Sequence, residues 1–244
     1  MIKKILLIGL PALFLLGLLG FVVWGETPLP ATATALDALQ TTPSVTVETV
    51  EDWLVFRPAG SAAATGFIFY PGGRVDYRAY SPLLAAIAQQ GYLVVLVPMP
   101  LNLAVLGTEK AQSVIAAFPE IKHWAIGGHS LGGSMAAQFT ENHPELIAGL
   151  VFWASYPANS MTGFSKPVLS ISASNDGLAT PAKIADSRAL LPAGTQFVVI
   201  EGGIHAQFGS YGAQPGDGTA TIPPETQWQQ TVLATTGLLK SITQ

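Results

Sequence analysis

From Val45 onward, the apolar residues of this chain fall into short blocks separated by glycine, proline and polar residues. VTVETVEDWLVFRP (45–58) alternates closely enough for one or two strands, and TGFIFY (65–70) is a short apolar run ending at Pro71-Gly72-Gly73. YRAYSPLLAAIAQQ (77–90) shifts to helical spacing and closes at Gly91. YLVVLVP (92–98) is apolar throughout, the mark of a strand covered on both faces. The same reading predicts helices at 108–118, 131–143, 181–191 and 224–242, and strands at 123–128, 149–155, 167–174 and 195–200. Strands alternating with helices in this way predict a mostly parallel, doubly wound α/β sheet flanked by helices. In such sheets ligands bind beyond the carboxyl ends of the strands, so the residues just after each strand are the place to look for chemistry.

Ahead of this pattern, Lys3 and Lys4 precede an apolar run from Ile5 to Trp24. About 20 apolar residues can cross the hydrocarbon core of a bilayer, and flanking lysines stay on the cytoplasmic side. Residues 1–25 are therefore expected to be a single-pass membrane anchor, with the remainder of the chain on the extracytoplasmic side. The alternative is a signal segment cleaved within Ala31–Ala35, though its apolar run exceeds the usual 7 to 15 residues. Residues 26–44, dominated by Pro, Thr and Ala, read as a tether, and 45–244 as one catalytic-size domain.

Composition narrows the function classes. Apolar residues make up 49% of the chain and charged ones 11%, so a large core can form. A net charge of −4 without a basic run gives no reason to expect nucleic acid as a partner. The absence of cysteine excludes disulfides, thiolate catalysis and Cys-ligated metals. His123 and His143 form no metal-ligand set, and no metal or cofactor is expected. Oligomeric state is left open.

Three chemically able residues follow predicted strands. Gly128-His129-Ser130-Leu131-Gly132 matches G-x-S-x-G between a strand and a helix; Asp176 follows 167–174; His205 follows 195–200. The order Ser, Asp, His and the strand–turn–helix setting suit a nucleophile elbow, where glycines two before and two after the serine permit a sharp turn. As a plain helix N-cap, Ser130 would leave the paired glycines without a reason. Asp176-Gly177 also fits an ordinary turn, and Glu201 is the competing acid, more simply a surface charge. His129 reads as filler or a local hydrogen-bond donor.

GGHSLGG, SASNDGL and GGIHAQFGSYG, with YPGG upstream, resemble the α/β-hydrolase superfamily, and residues 45–244 are similar to its small, lidless, dienelactone-hydrolase-like bacterial branch. The resemblance implies a serine hydrolase of carboxylic esters with Ser130 as nucleophile, His205 as base and Asp176 as the acid that orients it. Oxyanion donors are expected at the amide of Leu131 and at Gly73, with Arg74 the alternative to Gly73. The family often has His-Gly where this chain has Pro71-Gly72. The short connection between 149–155 and 167–174 leaves no room for a helical lid. Arg74, Asn102 and Phe208 are the substrate-binding candidates; Arg78, Leu103, Trp153, Tyr156 and Tyr211 are further lining candidates, and loop 206–223 either covers the pocket or is an inert excursion. The substrate expected is a small-molecule ester or related acyl compound. The rivals are acyl transfer by the same nucleophile and a non-catalytic binding protein that retains the fold.

Overall fold

A computed structural model describes residues 2–60 and 63–243, with side chains from residue 13 onward. Helix α1 spans Ile2–Gly25 and a short α2 spans Ala33–Asp37. Strands β1 (Val45–Val50) and β2 (Trp53–Pro58) form a hairpin whose turn passes through Glu51 at φ 54°, so the alternating stretch is two strands. Then come β3 (Thr65–Tyr70), α3 (Ser81–Ala88), β4 (Leu93–Leu96), α4 (Lys110–Ala117), β5 (His123–His129) and α5 (Leu131–Asn142). The chain continues through β6 (Gly149–Trp153), β7 (Val168–Ala173), α6 (Pro181–Ser187), β8 (Gln196–Ile200) and α7 (Pro224–Ile242). The predicted helix at 77–90 divides into a 3-10 turn, Tyr77–Tyr80, and α3, which takes Pro82 in its first turn, where a missing N–H costs nothing.

The strands make one eight-stranded sheet in the order β1-β2-β4-β3-β5-β6-β7-β8. β2 runs antiparallel to its neighbours and the remaining pairings are parallel, as the apolar runs of β3 to β7 require. Successive side chains of a strand point to opposite faces. Phe67 and Phe69 accordingly join Tyr80, Trp153 and Leu239 in the core under α3 and α7. Ile68 and Tyr70 join Trp124, Phe139 and Phe152 in the core under α4 and α5. Each such side chain contributes roughly 1.5–3 kcal/mol on burial, so the central strands are fixed from both sides. That rigidity matters at their carboxyl ends.

The predicted tether is not one. Residues 26–44 lie on the domain: Leu29 bridges to Val75, the Thr32 amide donates to Ser210 O at 2.9 Å, and Ala35 is fully buried. The reason is in the side chains hidden among the prolines, because Leu29, Ala31 and Leu39 pack on the core beneath α3. From Leu13 to Trp24 the large apolar side chains of α1 are exposed. Among the described residues no helix is long and apolar enough to cross a membrane. Lys3, Lys4 and the first part of the expected anchor fall where side chains lie outside the described residues.

Candidate active site

Ser130 stands between β5 and α5 with φ 51° and ψ −121°, a left-handed conformation that costs a non-glycine residue on the order of 1–3 kcal/mol. The surroundings enforce it. Its amide donates to Trp153 O at 3.0 Å, and Ser155 Oγ donates to its carbonyl at 2.6 Å. The flanking glycines permit the turn through close approach. A Cβ on Gly128 would lie 2.5 Å from the Tyr70 carbonyl oxygen, and one on Gly132 would overlap the carbonyl oxygens of Tyr70 and Pro71. The helix that follows leaves its first amides free at the serine.

Asp176 and His205 meet after β7 and β8. Nδ1 of His205 lies 2.8 Å from Oδ2 of Asp176, and both side chains are buried. The other oxygen, Oδ1, accepts from the amides of Leu178 and Ala179, each at 2.7 Å. With three donors on one carboxylate, Asp176 is orientated as well as buried. His205 Nε2 is buried and has no partner among the described residues. Ser130, Leu131 and His205 line one cavity of about 290 Å³, together with Ser134, Ala154, Tyr156 and Leu178. Glu201, the competing acid, is exposed and makes no hydrogen bond to His205 among the described residues.

Asp217, which the sequence did not single out, ties these two loops together. Its Oδ1 accepts from the amides of His205 (3.2 Å) and Gly177 (3.1 Å), and its Oδ2 from Ala206 at 2.7 Å. Loop 206–223 is thus neither a cover nor an inert excursion, since its Asp217 clamps the backbone that carries the histidine. An Asp-Gly pair such as Asp217-Gly218 signals no more than a turn, and its partners lie in two other loops.

His129 is also more than filler. Its ring is buried beside His205, with centroids 4.4 Å apart, and its Nδ1 lies 2.8 Å from the Tyr80 hydroxyl. Tyr80 Oη accepts the Gly72 amide at 3.0 Å, which leaves its own hydrogen for His129 Nδ1. Burial first, and then the imidazole of His205, push His129 well below its ordinary value of 6.5; burial pushes the Tyr80 phenol up. Both are therefore neutral near pH 7, and His129 carries its proton on Nε2.

Beside Leu131, the turn after β3 presents Gly73. The Gly72 amide is taken by Tyr80 and the Arg74 amide by Asn102 O at 2.8 Å. Among the described residues the Gly73 and Leu131 amides have no acceptor. Gly73 packs against the Leu131 side chain: a Cβ there would come 3.1 Å from Leu131 Cδ2.

The three substrate-binding candidates are corrected. Arg74 directs its guanidinium away from the cavity to Trp24 O (2.9 Å) and Thr27 O (2.7 Å), and it lies 4.4 Å over the Trp24 ring. Asn102 donates its side-chain amide to Gly25 O at 3.0 Å. Phe208 is fully buried, stacked on His129 at 5.8 Å. Arg78 is held by Asp76 at 2.6 Å; burial opposes ionisation there, yet the Arg78 hydrogen bonds keep the Asp76 carboxyl below its ordinary value. Trp153 and Tyr211 are core residues, while Tyr156 does line the cavity. Among the described residues no group of three or more His, Cys, Asp or Glu side chains is placed to hold a metal ion.

The sheet order and this elbow define the α/β-hydrolase architecture. A sequence profile of the Alpha/beta hydrolase family matches residues 66–229, and the chain belongs to that family. Among solved structures it is similar to a predicted CIB-like hydrolase from Thermoplasma acidophilum, at 16% identity, TM-score 0.56, and 79% and 98% coverage of this chain and that one. It is also similar to a butyrate-bound thermophilic esterase from the Planctomycetes species Thermogutta terrifontis, at 14% identity, TM-score 0.59, and 82% and 95% coverage. These likenesses show the fold and do not reach the dienelactone-hydrolase-like branch. No curated protein matches the chain in sequence.

Proposed function

We propose that this hydrolase is a serine esterase that cleaves small or medium carboxylic esters through an acyl-enzyme. The observation that carries the reading is Ser130, strained into a left-handed turn on the wall of a cavity it shares with a histidine bonded to a buried carboxylate. His205 Nε2 takes the hydroxyl proton as Ser130 Oγ adds to the ester carbonyl carbon. The negative charge on the carbonyl oxygen is met by the Leu131 and Gly73 amides, the donors near the serine that nothing else occupies. His205 then gives the proton to the departing alkoxide, and the acyl group stays on Ser130. Water, deprotonated by the same nitrogen, completes the second half. Asp176 holds Nδ1–H and so keeps Nε2 free as the base. Apo hydrogen bonds between nucleophile and base are often long and close only with substrate, in keeping with the unpartnered Nε2.

Cavity size favours short acyl chains, and the butyrate held by the Thermogutta esterase belongs to the same size class. A panel of p-nitrophenyl esters from acetate to laurate tests this: hydrolysis greatest at four carbons or fewer, and absent in Ser130→Ala, is the expected result. If no ester is turned over but acyl groups pass to an added alcohol, the protein is a transferase.

We also propose that α1 holds the chain in the membrane, with the catalytic domain outside. Consecutive apolar side chains exposed on every side of a helix need a covering, and lipid supplies one. Removal of residues up to 35 as a signal would break the contacts of Trp24, Thr27, Leu29 and Thr32 with the domain, which argues for retention. Carbonate-resistant membrane association of the intact chain is expected; a mature N-terminus near residue 36 would rule the anchor out.

A further inference from the structure

Residues 24–32 do more than join α1 to the domain. They touch both loops that flank the nucleophile. On one side the Leu29 amide donates to Arg74 O at 2.7 Å, and Leu29 O accepts from the Asp76 amide at 2.9 Å. The Arg74 guanidinium donates to the carbonyls of Trp24 and Thr27 and covers the Trp24 ring, and Asn102 donates to Gly25 O. On the other side the Thr32 amide donates to Ser210 O, and their hydroxyls lie 2.6 Å apart, five residues beyond His205.

The backbone held in this way is strained. Arg74, Leu101 and Asn102 all have left-handed conformations, with φ of 56°, 52° and 54°. Such residues persist only where their surroundings over-determine them. Here the Arg74 amide is fixed by Asn102, its carbonyl by Leu29 and its side chain by Trp24 and Thr27. The residue immediately before it is Gly73, whose free amide is the proposed oxyanion donor.

We propose that segment 24–32 is a strap that sets the oxyanion side of the site, with Arg74 as its positioning residue. The functional domain then begins at Trp24 rather than at Val45, and the end of the apolar helix is coupled to catalysis. The inference rests on the esterase reading above, and on Gly73 as a donor.

Two variants of the intact, detergent-solubilised chain test it. Arg74→Ala removes the clamp on Trp24 and Thr27. Leu29→Pro removes the single N–H that holds the Arg74 carbonyl and touches no side chain of the site. A misplacement of about 1 Å near the reacting atoms costs about 100-fold in rate. Each variant is therefore expected to lower kcat on p-nitrophenyl butyrate about 10- to 100-fold. KM should stay within about threefold, the pH profile of kcat should not move, since His205 is untouched, and Arg74→Lys should recover part of the loss. Thermal unfolding followed in parallel separates this from general loss of structure. Wild-type kcat in both variants, or a loss that appears only in KM or in melting temperature, overturns the strap. Failure of the esterase reading looks different: the wild-type chain itself would then turn over no ester and take no fluorophosphonate.

Discussion

The two walls of the proposed catalytic site are built differently. On the acid–histidine wall, Asp176 and His205 follow adjacent parallel strands, β7 and β8, and Asp217 locks their loops backbone to side chain. This wall is self-contained, and its order follows from the sheet. On the proposed oxyanion wall, the Gly73 turn and the 100–103 loop hold left-handed residues and depend on a segment from outside the sheet domain. On the proposed mechanism, proton-transfer geometry is thus a product of the core, whereas charge stabilisation is a product of long-range contacts. Substitutions should act on the first wall by removing chemistry and on the second by loosening geometry.

The largest expected effect is on the serine shared by both walls. Ser130→Ala should lower kcat by about 10⁶-fold, as for nucleophile removal in other triads. Ser130→Gly should be equally inactive yet more stable, because glycine adopts φ 51° without penalty; a gain of about 1 kcal/mol corresponds to about 2–4 °C in melting temperature for a chain of this size. Differential scanning calorimetry checks the sign, and a lower melting temperature would mean the turn is not strained.

Next comes Asp176→Asn, expected to lower kcat about 10⁴-fold by stabilising the wrong imidazole tautomer while the Leu178 and Ala179 amides still have an acceptor. The melting temperature should move little by comparison. Asp217→Ala strips four amides, those of Gly177, His205, Ala206 and Gly218, of their acceptor and is expected to reduce kcat about 10- to 100-fold, with a measurable loss of stability. If kcat is unchanged, the two loops hold each other without it.

Tyr80→Phe joins the walls in one test, since Tyr80 links the Gly72 amide of one to the His129 ring beside the other. Leaving a buried amide and a buried imidazole nitrogen unpaired costs about 1–3 kcal/mol each, so chemical denaturation should show a clear loss. The smallest effect is the pH dependence from His129. Its folded pKa is lowered, so between pH 7 and 8 it contributes nothing to pH dependence. Below its ordinary value of 6.5, the unfolded chain binds a proton that the folded one refuses. Stability then falls as pH falls, by up to about 1.4 kcal/mol per pH unit. His129→Gln should flatten that acid limb in denaturation curves between pH 6.5 and 5; an unchanged slope would assign it to other groups.

How much of this was legible in the sequence follows the same division. The strands announce themselves because runs such as TGFIFY and YLVVLVP are buried on both faces, and G-x-S-x-G fixes the elbow because only glycine fits beside the Tyr70 and Pro71 carbonyls. The positions of Asp176 and His205 were legible as residues just past strands. Arg74, Asn102 and Phe208 were misread, because sequence proximity to a strand end does not say which way a side chain turns: two of them reach back to the N-terminal segment and the third is core. The strap was hidden by its Pro- and Thr-rich composition, which resembles a tether, although Leu29 within it packs on the core and Ala35 just beyond it is buried. His129 was hidden because its partner, Tyr80, lies 49 residues away on another element.

The most direct measurement of the central claim is reaction of the intact protein with a fluorophosphonate, followed by peptide mapping of the adduct. The account predicts one modified residue, Ser130, and labelling at least 10³-fold slower in His205→Ala than in the wild type, on the scale of losing a triad member. A folded wild-type protein that takes no label, or that is labelled at Ser130 as fast without His205 as with it, would contradict it.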